Sequence, residues 1–179
     1  MLRGAFCGGT LCDEAMLIAG AALGPIASNI PLAGARPLGA DLAARPTEHA
    51  MVDFGDDELT RGRPHPMIDG SLRAQWISRQ AATAEEGLVL LLDVVLGHGA
   101  HPDPAADLAP VLADAHQVAA ARGVELAVVV SLCGTGGDPQ GLDRQATALQ
   151  ATGASVHLSN ADAARTAVEL LADDVRGGL

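Results

Sequence analysis

The residues best placed to do chemistry are Gly8-Gly9-Thr10, set between Phe6-Cys7 and Leu11-Cys12-Asp13-Glu14-Ala15. Glycines permit a tight turn and close backbone approach, and Thr10 followed by Asp13 has capping-box spacing. A helix opening there would offer free N–H groups and the positive end of its dipole to an anion. Cys133-Gly134-Thr135-Gly136-Gly137-Asp138-Pro139-Gln140 has the same design. Gly134, Thr135 and Gly136 therefore join Gly8, Gly9 and Thr10 as anion-binding candidates. Ordinary strand-to-helix turns also use Gly and Thr, but two such turns facing one crevice carry more information than either alone.

Charged residues supply the other candidates. Asp53-Phe54-Gly55-Asp56-Asp57-Glu58 gathers four acids. A solvated loop is the simpler reading, and a Mg²⁺ site completed by a partner's phosphate is the alternative. Arg61 and Arg63 flank one glycine in a proline-stiffened loop, an arrangement suited to clamping a carboxylate or phosphate. Asp93 lies within the apolar run Leu88–Leu96, where a lone charge is costly, so it needs a partner or a shifted pKa. His98, His101 and Asp103 match no strong metal-ligand spacing; loop packing is the better reading, and no metal site is expected. His49, His116 and His157 stand alone and read as surface or satisfied positions.

Composition narrows the partners. The net charge is −11, and all 11 basic residues are arginine. So acidic a surface repels nucleic acid. The absence of lysine excludes a Walker-A loop, a Schiff base and a lysine general base within this chain. Only 2% of residues are aromatic and there is no tyrosine, which argues against base-stacking platforms. Cysteines 7, 12 and 133 have no C-x-x-C spacing and read as buried free thiols. No apolar run is long enough to cross a bilayer, and the first residues lack signal-peptide character, so a cytoplasmic location is expected.

These residues need a scaffold. Strand-like and helix-like runs alternate, the pattern of a mainly parallel sheet covered by helices. Leu88–Leu96 and Leu126–Leu132 are apolar enough to be central strands buried on both faces. Shorter strands are expected near Gly4–Cys7, Ile26–Ile30, Met51–Phe54 and Ser155–Leu158. Leu11, Ala15, Ile18 and Ala22 share one helical face, as do Leu108, Val111, Leu112, Ala115 and Ala119. Asp103-Pro104 and Asp138-Pro139 both carry a helix-start signal, and Asn160 could cap a last helix that buries Ala164, Val168 and Leu171. Residues 31–49 read as a long irregular connection. The expectation is one α/β domain over 1–179, flavodoxin-like, with a mainly parallel five- or six-stranded sheet and helices on both faces. Ligands then collect beyond the carboxyl ends of the strands.

The run Gly8-Gly9-Thr10-Leu11-x-x-Glu14-Ala15 is similar to the S-G-T-L-x-x-E-A stretch of the succinyl-CoA synthetase α chain. The whole chain resembles the C-terminal portion of FdrA proteins. The supporting stretches are Arg3-Gly4-x-Phe6-x-Gly8-Gly9-Thr10-Leu11, Gly62-Arg63-Pro64-His65-Pro66-Met67-Ile68-Asp69, Leu92–Pro104, and Cys133-Gly134-Thr135 followed by Asp138-Pro139-Gln140. The resemblance implies a ligase domain without the family's N-terminal CoA-binding Rossmann half. It places the anion site at Gly9 and Thr10, and it sets Asp93 where the synthetases have a glutamate that steadies a phosphohistidine. That histidine lies in a G-H-A-G turn, where this chain has Cys133-Gly134-Thr135-Gly136-Gly137. His98, in Gly97-His98-Gly99-Ala100, resembles a substitute but follows a different strand.

The function implied is that of a subunit in a heteromeric transferase handling acyl or carbamoyl phosphate, with carbamoyl transfer favoured. The alternatives are a subunit of a nucleotide-dependent acyl-CoA ligase, with His98 phosphorylated, and a non-catalytic scaffold. Asp93 and His98 are the catalytic candidates; Gly8, Gly9, Thr10, Arg61, Arg63, Gly134, Thr135 and Gly136 are the anion-binding ones. Companion subunits and a small anionic substrate are the expected partners. Phosphate or Mg²⁺ could enter through the complex, while CoA binding by this chain is not expected.

Overall fold

The computed structural model describes residues 1–44 and 48–177. Six strands form one sheet: β1 (Leu2–Phe6), β2 (Ala27–Ser28), β3 (Ala50–Asp53), β4 (Leu88–Val95), β5 (Leu126–Cys133) and β6 (Ser155–His157). Every pairing is parallel, in the order β2-β3-β1-β4-β5-β6. The helices are α1 (Gly9–Leu23), α2 (Asp57–Thr60), α3 (Ser71–Thr83), α4 (Pro104–Ala121), α5 (Leu142–Gln150) and α6 (Asn160–Gly177). This is the expected α/β architecture.

Strand alternation divides the core in two. Leu88, Leu90, Leu92 and Val94 point to one face, where they meet Trp76, Ile77 and Leu112 from α3 and α4. Val89 and Leu91 point to the other, against Met16 of α1 and Ala163, Ala164 and Ala167 of α6. The alanines let α1 and α6 lie close together. Gly4 serves the same purpose within β1, since a Cβ there would sit 2.6 Å from Met51 Cγ.

Right-handed crossovers explain which helix covers which face. The chain leaves β1 toward the β2 edge through α1. It leaves β3, β4 and β5 toward the β6 edge through α3, α4 and α5. Helices after neighbouring β1 and β4 therefore fall on opposite faces. The gap between these two strand ends is the switch point where ligands bind in such sheets.

Several local expectations are corrected. Gly8, not Thr10, is the N-cap of α1, and no side chain caps that end. Thr10 is exposed in the first turn, so the capping box does not form. The buried stripe of α1 is Cys12, Ala15, Met16 and Ala19, whereas Ala22 is exposed; in so alanine-rich a helix the apolar period leaves rotation undetermined. Asp138-Pro139 does not begin a helix. Those residues form a turn, and Gly141, at φ 72°, breaks the chain before α5 starts at Leu142. Asn160 reaches across to α1, donating to Leu11 O and Glu14 Oε2, while Ser159 Oγ accepts from Asp162 N.

The 31–49 connection carries no helix or strand among its described residues, and 45–47 lie outside them. It is anchored at Leu42, whose carbonyl accepts from Trp76 Nε1 at 3.1 Å. Among the described residues no helix is long and apolar enough to cross a membrane.

Candidate anion site at the switch point

Beyond Phe6 the chain turns through Cys7 and Gly8 into α1. Its first helical bond runs from Cys12 N to Gly8 O, so the N–H groups of Gly9, Thr10 and Leu11 have no intrahelical partner. No other hydrogen bond in the described structure takes them up. They converge with the helix dipole at the end of β1, which is favourable for an anion.

A buried ion pair holds this turn in place. In a parallel ladder alternate residues face the same neighbour. Val89 donates to Met1 O, so Asp93 also directs its backbone toward β1. The β1–β4 register stops at Ala5–Leu92, however. Cys7 N, next in line, donates to the Asp93 side chain (Oδ1, 2.8 Å) rather than to its carbonyl. Arg73 Nη1 then donates to both that carbonyl (2.7 Å) and Oδ1 (2.9 Å). Asp93 thus has the partner its apolar strand demanded, with side chains 7% and 0% exposed for Arg73 and Asp93. Burial pushes the Asp93 carboxyl above the usual range, with Arg73 pulling the other way. Its Oδ2 is buried with no hydrogen-bond partner. Burial also raises the Cys7 and Cys12 thiols, so neither supplies a thiolate at neutral pH. Cys133, expected to be buried, is exposed at the end of β5.

On the other side of β1, a Cβ on Gly9 would lie 3.3 Å from Asp53 Oδ2. Asp53 therefore stands beside the open end of α1. Its Oδ1 accepts from Gly55 N at 2.8 Å, and Asn29 pairs with its backbone. Burial pushes its carboxyl up, against the opposing effect of the Gly55 bond. Gly55 is required here, since a Cβ would meet Cys7 O at 2.4 Å and His65 Nε2 at 2.9 Å. Of the neighbouring acids, Asp56 accepts from Glu58 N and caps α2. Among the described residues no group of three His, Cys, Asp or Glu is placed to hold a metal.

The second glycine-rich turn is arranged differently. Thr135 N donates to Asp138 Oδ2 at 2.6 Å, and Gly137 N to Thr135 Oγ1 at 3.2 Å. The loop's own carboxylate thus occupies the position an external anion would take. Gly134 packs on Leu96, and Gln140 ties this loop to Gly97 and His101. It leads to α5, on the sheet face opposite α1. Gly134, Thr135 and Gly136 are thereby joined to the loop after β4 rather than to Gly8, Gly9 and Thr10.

His98 is exposed in that loop and makes no hydrogen bond or ion pair among the described residues. His101 Nε2 lies 3.2 Å from Asp107 Oδ2, and its Nδ1 accepts from Asp103 N. Asp103 is held by Gln145 and Arg144, which together keep its carboxyl below the usual range. Arg61 and Arg63 are exposed and line a cleft of about 250 Å³ that also reaches Arg73. Among the isolated histidines, His49 Nδ1 accepts from Leu2 N, and His157 Nε2 meets Ser155 Oγ at 2.9 Å. His116 departs from expectation, because its Nε2 is buried without a partner.

Sequence reasoning overlooked Arg73. The signal was present: Arg73, Trp76, Ile77 and Gln80 share one helical face, and all four are buried.

An open helix start thus stands beside a strand-end carboxylate at the switch point of a parallel sheet, the position where ligands bind in such α/β folds. Residues 5–170 match the CoA-ligase family model, and the chain belongs to that family. It is 35% identical over 173 residues to the uncharacterized protein YahF of Escherichia coli K12, covering 95% of this chain and 32% of YahF. The chain spans about a third of that relative's length.

Proposed function

We propose that the chain contributes the anion-binding part of an acyl-CoA ligase subunit of the succinyl-CoA-synthetase type, and that an acyl phosphate or transferring phosphoryl group sits at the start of α1. The observation that carries this reading is the uncapped end of α1, held at the switch point by Cys7, Asp93 and Arg73 within a CoA-ligase domain. In the reaction the acid's carboxylate attacks the terminal phosphoryl group of a nucleoside triphosphate, releasing the nucleoside diphosphate and giving an acyl phosphate. A thiol then displaces phosphate to give the thioester. The phosphoryl oxygens carry negative charge through both steps, and the Gly9, Thr10 and Leu11 N–H groups are fixed in advance to stabilise it. Asp93 acts by position, anchoring Cys7 and hence the turn.

The turn after β5, where the synthetases carry their phosphohistidine, has no histidine and is closed by Asp138. Direct handling of an acyl phosphate therefore fits better than a phosphohistidine relay. Carbamoyl transfer, the FdrA-type function, could use the same anion seat. The family match supports ligase chemistry instead, and no observation favours the carbamoyl reading.

The test is nucleoside-triphosphate-dependent thioester formation by this chain together with its co-purifying subunits. Gly8→Asp, which would place a carboxylate over the α1 end, should reduce turnover by at least about a hundredfold, the scale of losing an oxyanion donor. Unchanged turnover would overturn the assignment of α1. Carbamoyl phosphate formation without thioester would restore the carbamoyl reading.

A further inference from the structure

On the α3 face of the sheet, a groove of about 460 Å³ lies between α2, α3 and residues 40–42. That volume is within the range of small-molecule sites. Its charge is unlike that of the chain as a whole. The sequence carries 22 acidic and 11 basic residues, yet the groove is lined by three arginines, Arg61, Arg63 and Arg79, against two acids, Asp41 and Glu58. Of the arginines whose side chains are described, all but Arg61 and Arg63 hydrogen-bond to another residue. Arg79 uses Nη2 alone, on Asp41 O. The backbone holds the two unpaired arginines together. Thr60–Arg63 is a type II turn, with Arg61 at φ −61° and ψ 113°, Gly62 at φ 77°, and Arg63 N donating to Thr60 O at 3.1 Å. Pro64 then restricts the Arg63 backbone. Two guanidiniums fixed on one turn, with no counter-charge paired to either, suit an incoming anion.

We infer that this groove binds a sugar or polyol phosphate, its phosphate on Arg61, Arg63 and Arg79 and its hydroxyls on Asp41, Glu58 and Gln75, which also line the groove. A phosphate dianion answers three guanidiniums better than a monocarboxylate does. The two carboxylates would repel a larger polyanion, whereas hydroxyl groups can donate to them. An aromatic base has no face to stack on, because Trp76 is 2% exposed and its Nε1 is taken by Leu42 O. The groove lies on the sheet face away from α1, so this site is separate from the anion seat there and does not rest on the ligase reading.

The test is titration of the intact chain at low ionic strength, read by NMR at the arginine Nε–H groups and the Gln75 side-chain amide, with glucose 6-phosphate, glucose, inorganic phosphate and AMP as probes. Glucose 6-phosphate should shift Arg61, Arg63 and Gln75 and bind at least about tenfold more tightly than inorganic phosphate or AMP. Glucose should shift none of them. Arg61→Gln and Arg63→Gln, both at exposed positions, should each weaken binding by at least about tenfold. Gly62→Ala keeps every charge but opposes the turn, and it should weaken binding as well. Arg165→Gln, at an exposed arginine of α6, should leave binding unchanged. Unfolding curves confirm that the variants are folded. Silence at Arg61 and Arg63, equal affinity for glucose 6-phosphate and inorganic phosphate, tighter binding of AMP, or full binding by Arg61→Gln would overturn the site. Gly8→Asp closes α1 without touching the groove, so the response to glucose 6-phosphate should persist in that variant whether or not the ligase reading holds. Its loss there would place the ligand at α1 instead.

Discussion

The turns after β1 and β5 have nearly the same composition and opposite states. At Gly8-Gly9-Thr10 no side chain folds back, and three N–H groups face outward at the sheet's switch point. At Gly134-Thr135-Gly136-Gly137 the next acidic residue, Asp138, closes onto Thr135 N. Glycine content sets what backbone shapes are allowed; the nearest competing carboxylate decides whether the turn is open to a ligand. Asp13, at the corresponding distance in the first turn, lies inside α1 and cannot fold back. Asp138 sits before the helix, where Gly141 leaves it free to do so.

Three substitutions probe this contrast. The largest effect is expected at the anchor of the open turn. Arg73→Met strands Asp93 as an uncompensated buried charge and should cost about 3–5 kcal/mol in urea unfolding at neutral pH. The sign of its pH dependence follows from the raised Asp93 pKa. A carboxyl whose folded pKa lies above its unfolded value contributes stability that is fully present below the unfolded pKa, and loses it as pH rises through the folded pKa. The variant should therefore recover stability as the solution is acidified through the carboxylate range, and Asp93→Asn should rescue it at neutral pH. A pH-independent deficit would remove Asp93 as the cause.

A smaller effect is expected from opening the closed turn. Asp138→Ala removes the carboxylate from Thr135 N and should cost about 1 kcal/mol. It should also make the Thr135 amide respond to added phosphate. The smallest stability change comes from closing the open turn. Gly8 is extended, at φ −168°, and a Cβ there would meet nothing within 4 Å. Gly8→Asp should cap α1 and raise stability by only a few tenths of a kcal/mol, while abolishing anion binding there. A stabilised but inactive protein is the outcome that separates function from folding.

Much of the scaffold was legible. Leu88–Leu96 and Leu126–Leu132 could only be buried strands, and Asp103-Pro104 does begin α4. The same dipeptide at 138 misled, because a start signal describes local geometry and cannot report that Asp138 has a nearer N–H to satisfy. The need for a partner at Asp93 followed from burial cost alone. The identity of that partner did not, because Arg73 lies 20 residues away on α3, a helix that no motif singled out. The separation of the two glycine turns depends on crossover direction, which emerges only once the strand order is known.

The most direct test of the open turn is a phosphate titration of the wild-type chain, read at individual backbone amides. Gly9, Thr10 and Leu11 should shift together, Thr135 should stay fixed, and Gly8→Asp should erase the response. Shifts at Thr135 with silence at Gly9–Leu11 would contradict the assignment of the anion site to α1.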